Sequence, residues 1–286
     1  MLVDALLLLI FVAVLALSVA GWLLGPELVT AQRRRRVCAQ PFPAAWREIL
    51  RRRMPMFRRL PADLQLQLKS HTQVLLAEKP FIGCAGFEVT EEVRVLIAAQ
   101  AALLLLNRPA GYFPKLRQIL VYPGHFVVDR PHFDAAGMTR EARRVLAGES
   151  WQQGQVLLAW DAVLEGAADP DDGHNVVIHE FAHQLDQESG AANGAPWLGR
   201  RERYAVWSSV LGAAFERLRE RVARPAQDTQ DGNADDALDG YGASDPAELF
   251  AVASEAFFER PARLTAQEPA LYAELARFYR VHPAGW

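Results

Sequence analysis

Five consecutive residues constrain this chain more than any others: His179-Glu180-Phe181-Ala182-His183, the pattern H-E-x-x-H, inside Val176-Val177-Ile178-His179-Glu180-Phe181-Ala182-His183-Gln184-Leu185-Asp186. On an α-helix, residues four apart lie on one face, so His179 and His183 can hold one metal ion from the same side. Imidazole nitrogen suits zinc, and a catalytic zinc keeps one position for water. Glu180 can reach that water as a general base. The bland alternative is two histidines falling four apart by chance on an amphipathic helix, since the pattern fixes only three positions. Against it, Val176, Val177, Ile178, Phe181, Ala182 and Leu185 give the segment an apolar body, as expected of a helix buried beneath a cleft. Two histidines and a glutamate buried there are costly without a metal or other partners.

Two histidines leave zinc short of a third protein ligand. No further histidine follows at the H-E-x-x-H-x-x-G-x-x-H spacing. Asp186 lies near the same face a full turn further on, and reads as a carboxylate orienting a histidine or as a helix-end contact. The better source is Tyr241-Gly242-Ala243-Ser244-Asp245-Pro246-Ala247-Glu248, followed by Leu249 to Glu259. Asp245 and Pro246 read as the N-cap and first residue of a helix, with Glu248 at its third position. That is also where a capping-box glutamate sits, and Glu255, two turns further along, competes as a ligand.

The N-terminus raises a different question. From Ala5 to Leu24 no residue is charged, and a helix of that length spans about 30 Å, the thickness of a bilayer's hydrocarbon core. Arg33 to Arg36 follow, and the positive-inside rule places them in the cytoplasm. A cleaved signal peptide expects a positive leading region, whereas only Asp4 is charged there. The sequence therefore predicts an uncleaved, single-pass anchor in the cytoplasmic membrane over residues 1–24, a basic juxtamembrane linker over 25–40, and a cytoplasmic domain over 41–286. Between Arg33 and Arg59 stand ten arginines and one acid, Glu48, a net of +9 that leaves −12 for the rest of a chain whose total is −3. Beside a membrane helix such a collar reads as contact with anionic lipid. Direct nucleic-acid binding fits less well, because interleaved aromatics are missing and the body is acidic. Some of these arginines have the alternative of a plain solvated face. Cys38 and Cys84 fit no metal spacing and no disulfide framework.

Of the remaining chain, Pro43–Arg59, Pro61–Ala77, Thr90–Asn107 and Pro269–His282 read as helices. Gln118–Tyr122, Phe126–Asp129 and Gln155–Trp160 read as strands, the last just ahead of the metal helix. An open edge there would accept an extended peptide through main-chain hydrogen bonds; the alternative is an ordinary interior strand. His71, His125, His132 and His174 stand singly and are not expected as ligands. Pro225 to Gly240 reads as a surface loop without the order of a calcium loop. A nucleophile elbow, a phosphate loop and a dinucleotide fingerprint are all missing.

The metal segment and the stretch from Tyr241 to Phe258 together resemble the Mlc titration factor A (MtfA) family of zinc peptidases. Tyr122-Pro123-Gly124-His125-Phe126-Val127-Val128-Asp129 and Ser150-Trp151-Gln152-Gln153-Gly154 resemble it too. The likeness covers most of the chain from about Pro41 and extends, more faintly, to the catalytic domain of anthrax lethal factor. It implies an α+β, zincin-like fold with a small sheet, preceded here by the transmembrane helix. It implies one Zn2+ held by His179, His183 and Glu248, with Glu180 as base. It also implies that Tyr241 lies near the metal, where a phenol would donate to the oxyanion; a turn aromatic packing on the helix is the alternative. Peptide or protein substrates and aminopeptidase-type activity are expected on the same ground. Family members include soluble cytoplasmic proteins that bind a glucose-responsive transcriptional repressor, and the N-terminal departure puts that partnership in question here. The rival from another class is a regulatory protein with a structural zinc, but such a site is closed by four protein ligands and only three are found. Hydrolysis of a non-peptide amide is a weaker rival.

Overall fold

The computed structural model describes residues 2–109, 111–133, 139–151, 154–224 and 236–286, and its elements fall into two units, Met1–Pro41 and Phe42–Trp286. The first unit is a single helix, α1 (Leu2–Cys38). It does not stop where the uncharged run stops. It continues through Gly25, Pro26 and Glu27, across the expected linker, and takes in Arg33 to Arg36, so apolar and charged residues share one element. Among the described residues no helix is long and apolar enough to cross a membrane. That finding overturns the transmembrane helix expected over residues 1–24, and the single-pass membrane location falls with it.

The second unit begins with α2 (Ala44–Arg53) and α3 (Met56–Arg59), where the sequence suggests one continuous helix. Pro55 explains the break, because a proline pushes the residue before it out of the helical region, and Met54 has φ −130° and ψ 82°. Part of the arginine collar is taken up in surface ion pairs here. Arg52 and Arg53 pair with Glu92, and Arg59 makes a two-pronged contact with Asp171 at 2.7 and 2.5 Å. Next come α4 (Ala62–Glu78), a short strand β1 (Phe81–Gly83) and α5 (Glu91–Leu103). Thr90 caps α5 by accepting from the Val93 amide, and the apolar run Val95–Leu106 is buried from end to end.

The strands are β2 (Gln118–Tyr122), β3 (Phe126–Phe133), β4 (Thr139–Leu146), β5 (Gly148–Trp151) and β6 (Gln155–Ala159). Four of them form a sheet in the order β1-β2-β6-β5, with β1, β2 and β6 parallel and β5 antiparallel to β6. β3 and β4 form a separate antiparallel pair. The strand read from sequence just ahead of the metal helix is thus an interior one, and Val156 to Ala159 are buried. The edge on that side belongs to β5, too short and polar to announce itself.

Helices complete the unit: α6 (Trp160–Ala168), α7 (Val176–Asp186), α8 (Glu202–Ala223), α9 (Pro246–Glu259), α10 (Pro261–Gln267) and α11 (Pro269–Tyr279). α7 is the metal helix, and the sheet strands β5 and β6, α5 and α9 all pack on it. Phe113 meets Phe181 edge-on, while Trp207, Phe250 and Phe278 cluster behind α9. Phe181, Phe250, Phe257 and Phe258 are almost fully buried, and each such side chain contributes about 1.5–3 kcal/mol of transfer free energy. That apolar mass fixes α7 and α9 side by side. Of the loop expected over 225–240, residues 225–235 lie outside the described residues, as do Gln152 and Gln153.

Candidate metal centre

Each of the two helices is started by a side-chain cap. Asn175 accepts from the Ile178 amide at 3.0 Å and opens α7. Asp245 accepts from the Ala247 and Glu248 amides at 2.8 and 3.1 Å and opens α9, with Pro246 in its first turn. Glu248 therefore sits in the first turn of one helix and faces His179 and His183 of the other.

The geometry is compact. Glu248 Oε2 lies 3.0 Å from His179 Nε2 and 3.3 Å from His183 Nε2. The three candidate ligand atoms all fall within 4.8 Å of one another, and among the described residues no other group of His, Cys, Asp or Glu does this. Ligands placed about 2.0–2.2 Å from a tetrahedral zinc are separated by roughly 3.3–3.6 Å, so the spacing suits such an ion with small adjustment. Glu255, the rival carboxylate, goes elsewhere. Its Oε1 is 2.7 Å from His179 Nδ1, the other ring nitrogen, and its Oε2 accepts from the Asn175 amide at 2.6 Å. A histidine whose Nδ1–H donates to a carboxylate presents the lone pair of Nε2, the tautomer a metal requires.

Electrostatics agree with this donor set. Burial by itself lowers the basicity of His179, but Glu255 and Glu248 outweigh it and hold the ring well above its ordinary value. Burial raises Glu248, yet the hydrogen bonds and charges of both histidines hold it far below the usual carboxylate range. Two carboxylates converging on one imidazole demand positive charge between them, and a divalent ion supplies it without a proton. Glu180 is different. It is buried, its Oε2 finds no partner, and burial pushes its carboxyl up to about 7 against the pull of both histidines. Edge strand β5 closes on it. A Cβ at Gly148 would fall 2.7 Å from Glu180 Oε1 and 2.6 Å from Val176 Cγ2, so the approach depends on glycine.

Tyr241 stands in a 3-10 turn, Gly240–Ala243, just before α9. Its ring centre is 6.1 Å from that of His179 and half its surface is exposed, which places a phenol at the rim. Asp186 makes no hydrogen bond to a histidine of the centre. Its Oδ2 accepts from the Asn193 and Gly194 amides at 2.8 and 2.7 Å and ties down the loop beyond α7, the helix-end role. The lone histidines stay apart from the centre: His71 Nδ1 lies 2.9 Å from the Tyr112 hydroxyl, His125 faces Asp161, and His174 is exposed. The side chain of His132 lies outside what the structure describes.

Three residues escaped the sequence reading. Glu255 was weighed only as a competing ligand, and Asn175 and Gly148 were not singled out. A signal for the first two was present: Glu255 and Glu259 are acids one turn apart in the apolar stretch of the helix beyond Glu248, and Asn175 stands three residues before Ile178, where a cap belongs. Gly148 left no local signal, because its need for a missing Cβ arises from contact with a distant helix.

Known proteins resemble this chain in sequence. The family model described as "Glucose-regulated metallo-peptidase M90" matches residues 29–280. The uncharacterized protein slr2042 of Synechocystis sp. is 38% identical over 252 residues, 88% of this chain and 89% of that protein. Proteins named Mlc titration factor A are 33% identical over 241 residues, 84% of this chain, in Yersinia enterocolitica, where 86% of the relative is covered, and in Yersinia pestis, where 85% is.

Proposed function

The chain belongs to the glucose-regulated metallo-peptidase M90 family, and from that premise we propose that it hydrolyses peptide bonds with one zinc ion held by His179, His183 and Glu248. The carrying observation is the meeting of Glu248 Oε2 with both Nε2 atoms beside a buried carboxyl, Glu180, that has an oxygen to spare. When bound, zinc supplies Lewis acidity toward water and the scissile carbonyl. Glu180 takes the proton of the attacking water and delivers it to the leaving amine, a task suited to a buried carboxyl with a free oxygen. Tyr241, at the rim, donates its hydroxyl to the oxyanion. The edge of β5 is the place for an extended peptide to add by main-chain hydrogen bonds. It packs directly on α7, and Ser150 is pinned there by the Gln184 amide at 2.7 Å. Aminopeptidase-type cleavage is supported by the family resemblance.

The test is E180Q. Zinc stays at one per chain by metal analysis, while turnover of a chromogenic aminoacyl substrate and of a peptide library falls about 10²–10⁴-fold. Unchanged turnover removes Glu180 from the role of base. The names of the Yersinia relatives favour a second reading, in which this chain titrates a transcriptional repressor such as Mlc. Pull-down of purified Mlc by wild-type protein and by E180Q alike would support it, since titration needs no turnover.

A further inference from the structure

We propose that Asn175 is a positioning residue for the metal centre, the joint through which α5, α6 and α9 set the orientation of His179. The inference rests on the metal site proposed above and names how that site is held.

Asn175 is buried at the start of α7, and its polar atoms reach four elements. Its Oδ1 caps α7 through the Ile178 amide. Its Nδ2 faces three oxygens: Gln100 Oε1 of α5 at 2.9 Å, the Gly166 carbonyl of α6 at 3.0 Å, and Glu259 Oε1 of α9 at 2.9 Å. Its main-chain N–H donates to Glu255 Oε2 at 2.6 Å, and its carbonyl accepts from the His179 amide at 2.9 Å. Glu255 then reaches the His179 ring with its second oxygen. One carboxylate thus bridges the backbone of residue 175 and the imidazole of residue 179, and the position of that bridge follows the position of Asn175.

Capping alone does not account for asparagine here. Serine, threonine or aspartate would satisfy the Ile178 amide as well. None of them offers the amide donor that Gln100, Gly166 and Glu259 share. The surroundings are built around that amide. A Cβ at Gly166 would come within 2.9 Å of Asn175 Cα and 3.2 Å of its Cγ, so glycine admits the side chain. Glu255 and Glu259 stand one turn apart on the buried face of α9, and Asn175 gives one hydrogen bond to each. Burial, with Glu255 nearby, pushes the Glu259 carboxyl well above its ordinary range against the pull of Asn175. Two like carboxyls in one apolar helix are costly to bury, and the donors of a single residue keep them apart in role.

The experiment compares wild type with N175S and N175D, both of which keep the cap acceptor and delete the amide donor. Zinc affinity is read by competition with a chromophoric chelator, ligand geometry by the visible spectrum of the cobalt-substituted protein, and folding by melts of the metal-free protein. Both variants are expected to bind zinc about 10–100-fold more weakly and to shift the cobalt bands. N175D/E259Q, which exchanges donor and acceptor across the same contact, is expected to recover part of the loss. A folded N175S with wild-type zinc affinity and cobalt spectrum overturns the proposal. If N175D fails to fold, N175S, which adds no charge, decides alone. The wild-type titration separates this from the reading beneath it. Failure of wild type to bind zinc overturns both, whereas tight wild-type binding with an unchanged N175S overturns only the role of Asn175.

Discussion

The two ends of α7 are anchored by different chemistry. At the N-terminal end a buried asparagine and two buried glutamates join α5, α6 and α9, and one of those glutamates touches a histidine of the metal centre. At the C-terminal end Asp186 accepts two backbone amides, Lys115 Nζ donates to the Gln187 carbonyl, and Gln184 donates to Ser150 of the edge strand. None of these C-terminal bonds reaches an imidazole. The difference teaches a division of labour along three turns of helix. The first end sets how the His179 imidazole points, and the second sets where the loop and edge strand lie against the helix.

That division can be broken experimentally, and D186A is the strongest attempt. The substitution strands the amides of Asn193 and Gly194, in a stretch where a Cβ at Gly194 would fall 2.3 Å from the Pro246 carbonyl oxygen and the Gly194 carbonyl accepts from Trp207 Nε1. Leaving two such donors unpaired costs about 2–4 kcal/mol. Denaturant titration is expected to show that loss, while the zinc affinity of the folded protein changes by less than about threefold, under the cost of removing a group that orients a ligand. A large fall in zinc affinity would mean that the two ends are not separable. G148A comes next. Its added Cβ must displace Glu180 or Val176, and a displacement near 1 Å at a proton-transferring group costs about 10²-fold in turnover. Zinc is expected to remain bound, because the three ligands are not touched. Turnover equal to wild type would show that β5 yields instead of Glu180.

The same division explains what could be read from sequence. The metal helix and the start of α9 are legible because local rules write them: a four-residue repeat of imidazoles, an asparagine cap, an Asp-Pro helix start. Glu248 and Glu255 were not separable, since residues seven apart share a helix face and only distance to the rings tells them apart. β5 went unread because Gly148-Glu149-Ser150-Trp151 has no apolar alternation, and its pairing partner β6 supplies the register. α8 lies outside the elements expected from sequence, although its buried Trp207, Leu211, Ala214 and Leu218 recur at the spacing of one helix face. The uncharged N-terminal run ends at Leu24 in sequence, whereas backbone hydrogen bonding carries α1 on into the arginines regardless of side-chain polarity.

The smallest expected effect sharpens the comparison from the side of pH. His71 of α4 meets the Tyr112 hydroxyl through its Nδ1. Tyr112 and Phe113 both take positive φ, and Phe113 packs on Phe181 of α7. Burial lowers the His71 ring from 6.5 to about 4, so the folded protein resists a proton that the unfolded chain accepts. The stability that follows from this is complete above the unfolded value of about 6.5, is lost progressively as pH falls toward 4, and levels off below. Part of the side chain meets solvent, which reduces the loss to about 1–2 kcal/mol between pH 7 and pH 5. Thermal melts of metal-free protein across that range should show it, and H71Q, which cannot take the proton, should flatten that share of the slope. Equal pH dependence in H71Q would take the acid-induced loss away from His71, and the buried Glu259 at the N-terminal end of α7 could not supply it, because a carboxyl raised above its ordinary range costs stability as pH rises and not as it falls.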